Sequence, residues 1–277
     1  MPHLSFENRT ALVTGAASGI GRALAVALAQ RGCHLALADR DAAGLAETGR
    51  MIAPSRIRIT RHVLDVADRA AVAALPAAVE AAHGGLDLLF NNAGVALGGT
   101  FADVSEADFA WLFEINFWGV VRMTRAFLPL LGARDEAWIV NLSSLYGLIA
   151  PPGQTAYAAS KFAVRGFSQA LRHELAGTNV GLTVIHPGGV ATAIADSARV
   201  PAHLTPEAAA RGRAASNRLL KLPPARAAAI ILSGVARRKG RVLVGSDAKV
   251  IALIERLAPV SYWDVIRRLI PKDRPTS

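Results

Sequence analysis

Cysteine is almost absent from this sequence. Cys33 stands alone, which rules out an intrachain disulfide and a thiolate metal cluster. The seven histidines are scattered without HExxH or a comparable ligand spacing, so no metal site is expected. His186, before a proline at the end of an apolar stretch, has the most distinctive setting of them. No apolar run reaches the ~18 residues of a membrane span. The longest candidates, such as "ARAAAIILSGVA" from Ala225, are broken by Gly or Ser. The N-terminus "MPHLSFENRT" lacks a charged leader followed by an apolar stretch, and a cytoplasmic protein is the expectation. Net charge is +10, but the basic residues are spread along the chain with no nucleic-acid module, so no nucleic-acid partner is expected.

What the chain has in quantity is apolar sequence, 52% of 277 residues, enough for a large core. Apolar runs alternate with helix-period stretches: "TALVTG", Ile20 to Arg31, "HLALAD", a helix from about Ala42, then "RIRITRHVLDV". Further strands are predicted at "LDLLFNN", "AWIVNLS", "GLTVIHP" and "RVLVG". The βαβ alternation implies an α/β fold of the Rossmann type, a doubly wound, mostly parallel seven-stranded sheet with helices on both faces. No repeat or long linker divides it, so one domain is expected over 1–277, with a core at 7–246 and an amphipathic helical extension at 247–277.

Three patterns carry chemistry. "TGAASGIG", after the first strand, places Gly15, Gly19 and Gly21 where a backbone can turn tightly and approach a pyrophosphate at a helix N-terminus. Asp39, ending the second strand, suits the hydroxyls of an adenosine ribose. It also suits a helix N-cap, a role open to Asp41 as well. Tyr157 and Lys161 are four apart on a predicted helix and so neighbours on its surface. An ammonium about 5 Å from a phenol, at an effective dielectric of ~20, supplies about 3 kcal/mol in favour of phenolate. That lowers a phenol pKa by roughly two units. Taken alone, the pair also fits an ordinary amphipathic helix.

With these pieces in order, the sequence resembles the short-chain dehydrogenase/reductase family, in the branch marked by TGxxxGxG and YxxxK, from about residue 7 to about 246. "NNAG" at Asn91–Gly94 is similar to the family's turn after the fourth strand. "HPGGVAT" at His186–Thr192 is similar to its PG motif. The resemblance implies catalytic roles for Asn116, Ser144, Tyr157 and Lys161. Tyr157 would be the acid/base, Ser144 a donor to the substrate oxygen, Lys161 a partner lowering the Tyr157 pKa and holding the nicotinamide ribose, and Asn116 the anchor of a water leading from Lys161 to solvent. It further implies a cofactor site of Gly15, Ser18, Gly19, Ile20, Gly21, Asp39, Arg40, Asp65, Val66, Asn92, Ala93, Gly94, Tyr157, Lys161, Pro187, Gly188, Val190 and Thr192. The implied activity is hydride transfer between a nicotinamide cofactor and a secondary alcohol or ketone. A dinucleotide-binding redox sensor or scaffold is the alternative, and loss of Tyr157 or Lys161 would have favoured it.

Residues after the catalytic motifs are mostly apolar, namely Val95, Ala96, Leu97, Leu145, Tyr146, Leu148, Ile149, Ala193 and Ile194. They suggest a steroid- or lipid-like substrate. Arg199, Arg211, Arg213 and Arg218 fit either an acidic substrate group or a solvated helix face. Asp39 argues for NAD over NADP, as does Ser18, where NADP-preferring relatives often carry a basic residue. Arg40 argues the other way. The resemblance implies a homo-oligomer, dimer or tetramer. In the extension, Val250, Leu253, Ile254 and Leu257 form one helical stripe and Tyr262, Val265, Ile266 and Leu269 another, flanked by Lys249, Arg256, Arg267 and Arg268. Packing on the core or a partner subunit is expected ahead of contact with an anionic membrane.

Overall fold

The computed structural model describes residues 3–53, 56–201 and 204–269. Seven strands form one sheet: β1 (Thr10–Thr14), β2 (His34–Asp39), β3 (Ile59–Val63), β4 (Leu88–Asn91), β5 (Ala137–Leu142), β6 (Val180–Pro187) and β7 (Arg241–Val244). All adjacent pairs are parallel, in the order β3-β2-β1-β4-β5-β6-β7. The seven predicted strands are therefore all present, and the doubly wound sheet is as expected. The order reverses direction between β1 and β4, which opens a crevice at their carboxyl ends.

Strands buried on both faces are mostly apolar, and each face takes alternate residues. Ala11, Val13, Leu35, Leu37, Trp138 and Val140 face a core shared with α1 (Gly19–Ala29) and α8 (Pro224–Ala236). Leu12, Ala36, Ala38 and Ile139 face the other core, filled by α3 (Arg69–His83) and α5 (Gly119–Gly132). Helix α2 (Ala42–Ile52) is capped by Asp41, and α3 by Asp68. Helix α4 (Glu106–Phe113) runs into α5 through a π-helical turn at Glu114–Trp118. The long α6 (Thr155–Glu174) precedes β6, and α7 (Pro206–Asn217) precedes α8.

At the amino ends of the strands, the buried Asp87 accepts from Thr10 N at 2.8 Å and from Arg134 Nε at 2.8 Å. Along the β3 edge, the Thr60 hydroxyl joins His62 Nε2 and His83 Nε2, each at 2.9 Å. Burial pushes His83 down to about 4 and lowers His62.

The extension forms α9 (Ser246–Leu257) and α10 (Tyr262–Leu269). Residues 270–277 of the predicted extension lie outside the described residues. Ala248 and Ile266, with Ile251, Ala252, Ile254, Tyr262 and Trp263, close over Leu145, Leu148 and Ile149. The predicted stripe on α9 is thus split. Ile254 faces inward, whereas Val250 (55% exposed), Leu253 (57%) and Leu257 (76%) face out. The small Ala248 brings the helix close to its neighbours, and apolar residues on several sides of α9 left its inner face undetermined by pattern alone. Among the described residues, no helix is long and apolar enough to cross a membrane.

Candidate active site

The loops that follow β1, β4 and β6 meet at the carboxyl edge of the sheet. Gly15 (φ +68°) and Gly19 (φ +53°) occupy the left-handed region that side chains disfavour. Close packing adds a second reason for glycine. A Cβ on Gly15 would stand 2.7 Å from Asn92 Nδ2, and one on Gly21 would stand 2.0 Å from the Gly15 carbonyl. Asn92 Nδ2 donates to Thr14 O at 2.9 Å, and Thr14 Oγ1 accepts from Asn92 N and Ala93 N, each at 3.0 Å. Gly19 faces Thr192, whose Cγ2 would lie 3.0 Å from an added Cβ.

Ser18 stands at the N-cap of α1 without a side-chain cap bond, and the first turn holds no acidic residue. First-turn amides, those of Gly19, Ile20 and Gly21 among them, lack intrahelical acceptors. This arrangement fits the pyrophosphate of a dinucleotide. Asp39 ends β2 with Oδ2 accepting from Ala17 N and Oδ1 from Asp41 N, both at 3.0 Å. The cap of α2 is Asp41, which accepts from Gly44 N at 3.0 Å. Asp39 therefore braces the glycine loop and is not the cap. Arg40 is exposed, Val66 is buried, and Asp65 accepts from Ala67 N at 2.9 Å. Val190 pairs with Leu222 beyond Pro187 and Gly188.

Ser144 follows β5 and Tyr157 lies in the first turn of α6, near enough for the Ser144 hydroxyl to act on the Tyr157 phenol. Ser144 Oγ also accepts from Tyr146 N at 3.1 Å. Lys161, one turn beyond Tyr157, is buried and donates from Nζ to Leu142 O at 3.2 Å. Gly94 passes between Lys161 and Asn116: an added Cβ would be 3.3 Å from Nζ and 3.1 Å from Asn116 Oδ1.

In this structure the Tyr157 pKa runs opposite to the lowering expected from Lys161. Burial pushes the phenol up to about 12, with the Ser144 hydrogen bond pulling it back and Tyr146 raising it further. Burial also pushes Lys161 down to about 8. Desolvation, which spacing in the sequence cannot show, is the largest cause for each group. Asn116 is on the π-helical turn. Its Oδ1 accepts from Val95 N at 2.8 Å, and its Nδ2 donates to Val95 O at 3.0 Å and to Ser160 Oγ at 3.2 Å. The side chain thus clamps the strand-to-loop turn after β4.

Several contributors had no clear signal in the sequence. Ser143 Oγ donates to Lys161 O at 2.8 Å, and a Cβ on Gly147 would be 2.2 Å from that hydroxyl and 2.8 Å from that carbonyl. The segments bearing Ser144 and Lys161 are therefore locked together. From the extension, Asp247 accepts from Gly189 N at 2.7 Å and Tyr262 Oη accepts from Ala150 N at 3.0 Å.

Leu145, Leu148 and Ile149 pack under the extension, so their apolar character serves that contact. Arg199 already has partners within the chain. It stacks 3.6 Å over the Trp111 ring, pairs with Asp108 at 3.1 Å, and its backbone bridges to Leu97. Arg211 and Arg213 lie on α7, and Arg218 follows it. Tyr157 packs on a buried apolar cluster of Leu97, Leu112 and Ala156, against which Val95, Phe109 and Trp111 are partly buried. Tyr146 meets the Tyr157 ring edge-on, centroids 6.1 Å apart. An open groove of about 540 Å³ near the amino ends of β5 and β6, lined by Trp138, Arg172 and Gly240 among others, holds none of the predicted site residues.

Comparison with known proteins gives a consistent result. The family model described as short chain dehydrogenase matches residues 9–202. SadH of Mycobacterium tuberculosis, named as an oxidoreductase, is 42% identical over 273 residues, covering 98% of each chain. A short-chain dehydrogenase/reductase from Burkholderia phymatum, solved in complex with NAD, superposes with TM-score 0.85 at 32% identity, covering 99% of each chain. A metagenomic short-chain oxidoreductase solved with NADP gives TM-score 0.64 at 34% identity, over 68% of this chain and 85% of that one.

Proposed function

The chain belongs to the short-chain dehydrogenase/reductase family of NAD(P)-binding oxidoreductases, and from that premise we propose that it moves a hydride between NAD and a hydrophobic secondary alcohol or ketone. The observation carrying this reading is the convergence of Ser144, just after one strand, with Tyr157 and the buried Lys161 on the next long helix, beside the glycine loop and Asn116.

When bound, the nicotinamide supplies the hydride acceptor or donor. The chain supplies binding and proton movement. Amides of the Gly15–Gly21 loop hold the pyrophosphate, Asp39 the adenosine ribose, Asp65 and Val66 the adenine end, and the Asn92–Gly94 turn the cofactor's flank. Pro187, Gly188, Val190 and Thr192 hold the nicotinamide amide. Lys161 Nζ holds the nicotinamide ribose. Ser144 donates to the substrate oxygen and stabilises charge there. Tyr157 passes the proton at that oxygen. Burial keeps its phenol protonated at neutral pH, the form required to protonate a ketone oxygen.

Substrate class follows from the wall beside Tyr157. Val95, Phe109 and Trp111, partly buried over Leu97 and Leu112, are apolar, and the nearby cation of Arg199 is already paired. A lipid-like or steroid-like alcohol matches such a lining. NAD is favoured over NADP because Asp39 repels a 2′-phosphate and Ser18 offers no cation in the loop. The outward face of α9 suits a second subunit better than an anionic membrane, since Asp247 and Glu255 offset Lys249 and Arg256 on the same helix.

The test is a panel of hydrophobic alcohols and ketones, with NAD or NADH, followed by nicotinamide absorbance. Turnover that rises with substrate hydrophobicity is expected. Folded protein that binds dinucleotide but turns over nothing in the panel would instead favour a sensing or scaffold role.

A further inference from the structure

His186 lies one residue from the end of β6, pairs in register with Leu243 of β7, and is 0% exposed. Its Nδ1 stands 2.9 Å from the carbonyl oxygen of Ser144. A carbonyl only accepts, so Nδ1 must carry the proton. Burial pushes the imidazole down to about 4, so it is neutral near pH 7. Nε2 is then a bare acceptor, buried and without a hydrogen-bond partner among the described residues.

An orphaned buried acceptor is costly, on the order of 1–3 kcal/mol. An aliphatic side chain would fill the same space without that penalty. What it could not do is donate to the Ser144 carbonyl. That oxygen already accepts from Gly147 N at 3.0 Å, so the imidazole gives it a second donor from a different strand. Ser144 is thereby held from two sides in an extended conformation, φ −161° and ψ 168°. Its Oγ accepts from Tyr146 N, and the hydroxyl acts to lower the Tyr157 pKa.

We infer that His186 is a positioning residue, whose Nδ1–H fixes the Ser144 backbone and so aims the Ser144 hydroxyl at the reacting oxygen. This inference rests on the role proposed above for Ser144.

The test is steady-state kinetics on the full chain with NAD and the best alcohol of the panel. His186→Leu should lower kcat by about 10- to 100-fold while leaving KM for NAD within about twofold. His186→Asn places an amide N–H near the position of Nδ1–H and should recover kcat to within about threefold of wild type. His186→Gln, which sets its amide one atom further out, should stay impaired. In a Ser144→Ala background, His186→Leu should cost less than about threefold, because the two act through one group.

Wild-type kcat in His186→Leu overturns the inference, as does an undiminished loss in the Ser144→Ala background. If the leucine variant does not fold, equal kcat in the Asn and Gln variants overturns it. Ser144→Ala at the wild-type rate would overturn the reading of Ser144 itself, an outcome separate from any result at His186.

Discussion

Lys161 Nζ lies 5.8 Å from the centre of the Tyr157 ring and donates to the Leu142 carbonyl at 3.2 Å. The protein thus holds a buried ammonium beside a partly buried tyrosine, and burial disfavours the charged form of each. Tyr157→Phe should remove nearly all turnover while leaving dinucleotide affinity within about twofold, since only the hydroxyl is lost. A variant that retains more than a few per cent of the rate would remove Tyr157 from the acid/base role.

Lys161→Met should show the opposite effects on stability and activity. Burial moves the lysine from 10.5 to about 8, so at pH 7 its charged form weakens the fold by at most about 3 kcal/mol. Between about 8 and 10.5 the unfolded chain binds the extra proton, and wild-type stability should rise with pH. Urea midpoints should be higher for the methionine variant at pH 7, with the difference shrinking by pH 10, while activity is lost. An unchanged or lower midpoint at pH 7 would count against a desolvated ammonium.

Cofactor choice turns on Asp39. Wild type should prefer NAD by about tenfold in kcat/KM, about 1.4 kcal/mol. Asp39→Ala should narrow the ratio by admitting NADP. It should also loosen the glycine loop, because the Ala17 amide loses its acceptor. Equal kcat/KM values for the two cofactors in the wild type would reverse the assignment.

Acid sensitivity should come from His83 and His186, each pushed down to about 4 from 6.5. As pH falls between those values the unfolded chain takes up protons that the folded chain refuses, so stability is lost. The two together should remove about 2 kcal/mol between pH 6 and pH 5. Urea unfolding at both pH values measures this, and His83→Gln should halve the change. Identical stability at the two pH values would contradict buried neutral histidines.

Asp87 ties β1, β4 and the chain before β5 through Thr10 N and Arg134. Asp87→Ala leaves a buried amide unpaired and should destabilise by about 3 kcal/mol. Arg134→Ala, whose side chain is 40% exposed, should cost less than about 1 kcal/mol. Similar urea midpoints for the two variants would show that the carboxylate matters only as a surface charge partner.

On α9, Leu253→Glu alters a residue that is 57% exposed. It should lower the solution mass measured by light scattering without changing the melting temperature by more than a few degrees. Full-length protein should show negligible flotation with anionic vesicles. Strong flotation that the glutamate abolishes would replace the subunit contact with a membrane contact.

The sheet was legible because β1, β2 and β5 are mostly apolar runs, as strands covered on both faces tend to be. The edge strand β3, half exposed, proved shorter than the run "RIRITRHVLDV" suggested. The glycine loop and the Tyr157–Lys161 pair were legible because each places its residues by local geometry alone. What escaped was long-range. Arg199 finds Trp111 only through folding, and the inner face of α9 is chosen by Ala248, too small to mark a stripe. The pKa of Tyr157 escaped for a similar reason, since desolvation is a property of the assembled surroundings.

The π-helical turn at Glu114–Trp118 amounts to one surplus residue in the rod formed with α4 and α5. One residue is about 100° of helical rotation, so the two halves of the rod are out of phase. That offset lets Leu112 pack against Leu97 and Ala156 on one side while Met123 and Phe127 fill the core beneath the sheet. Asn116 sits at the step between the two phases and reaches the Val95 backbone from there. Removing a single residue from the turn would bring the halves into phase and rotate one apolar face away from its partner. This stretch should therefore tolerate substitution on its exposed side, as at Trp118, far better than a change in length.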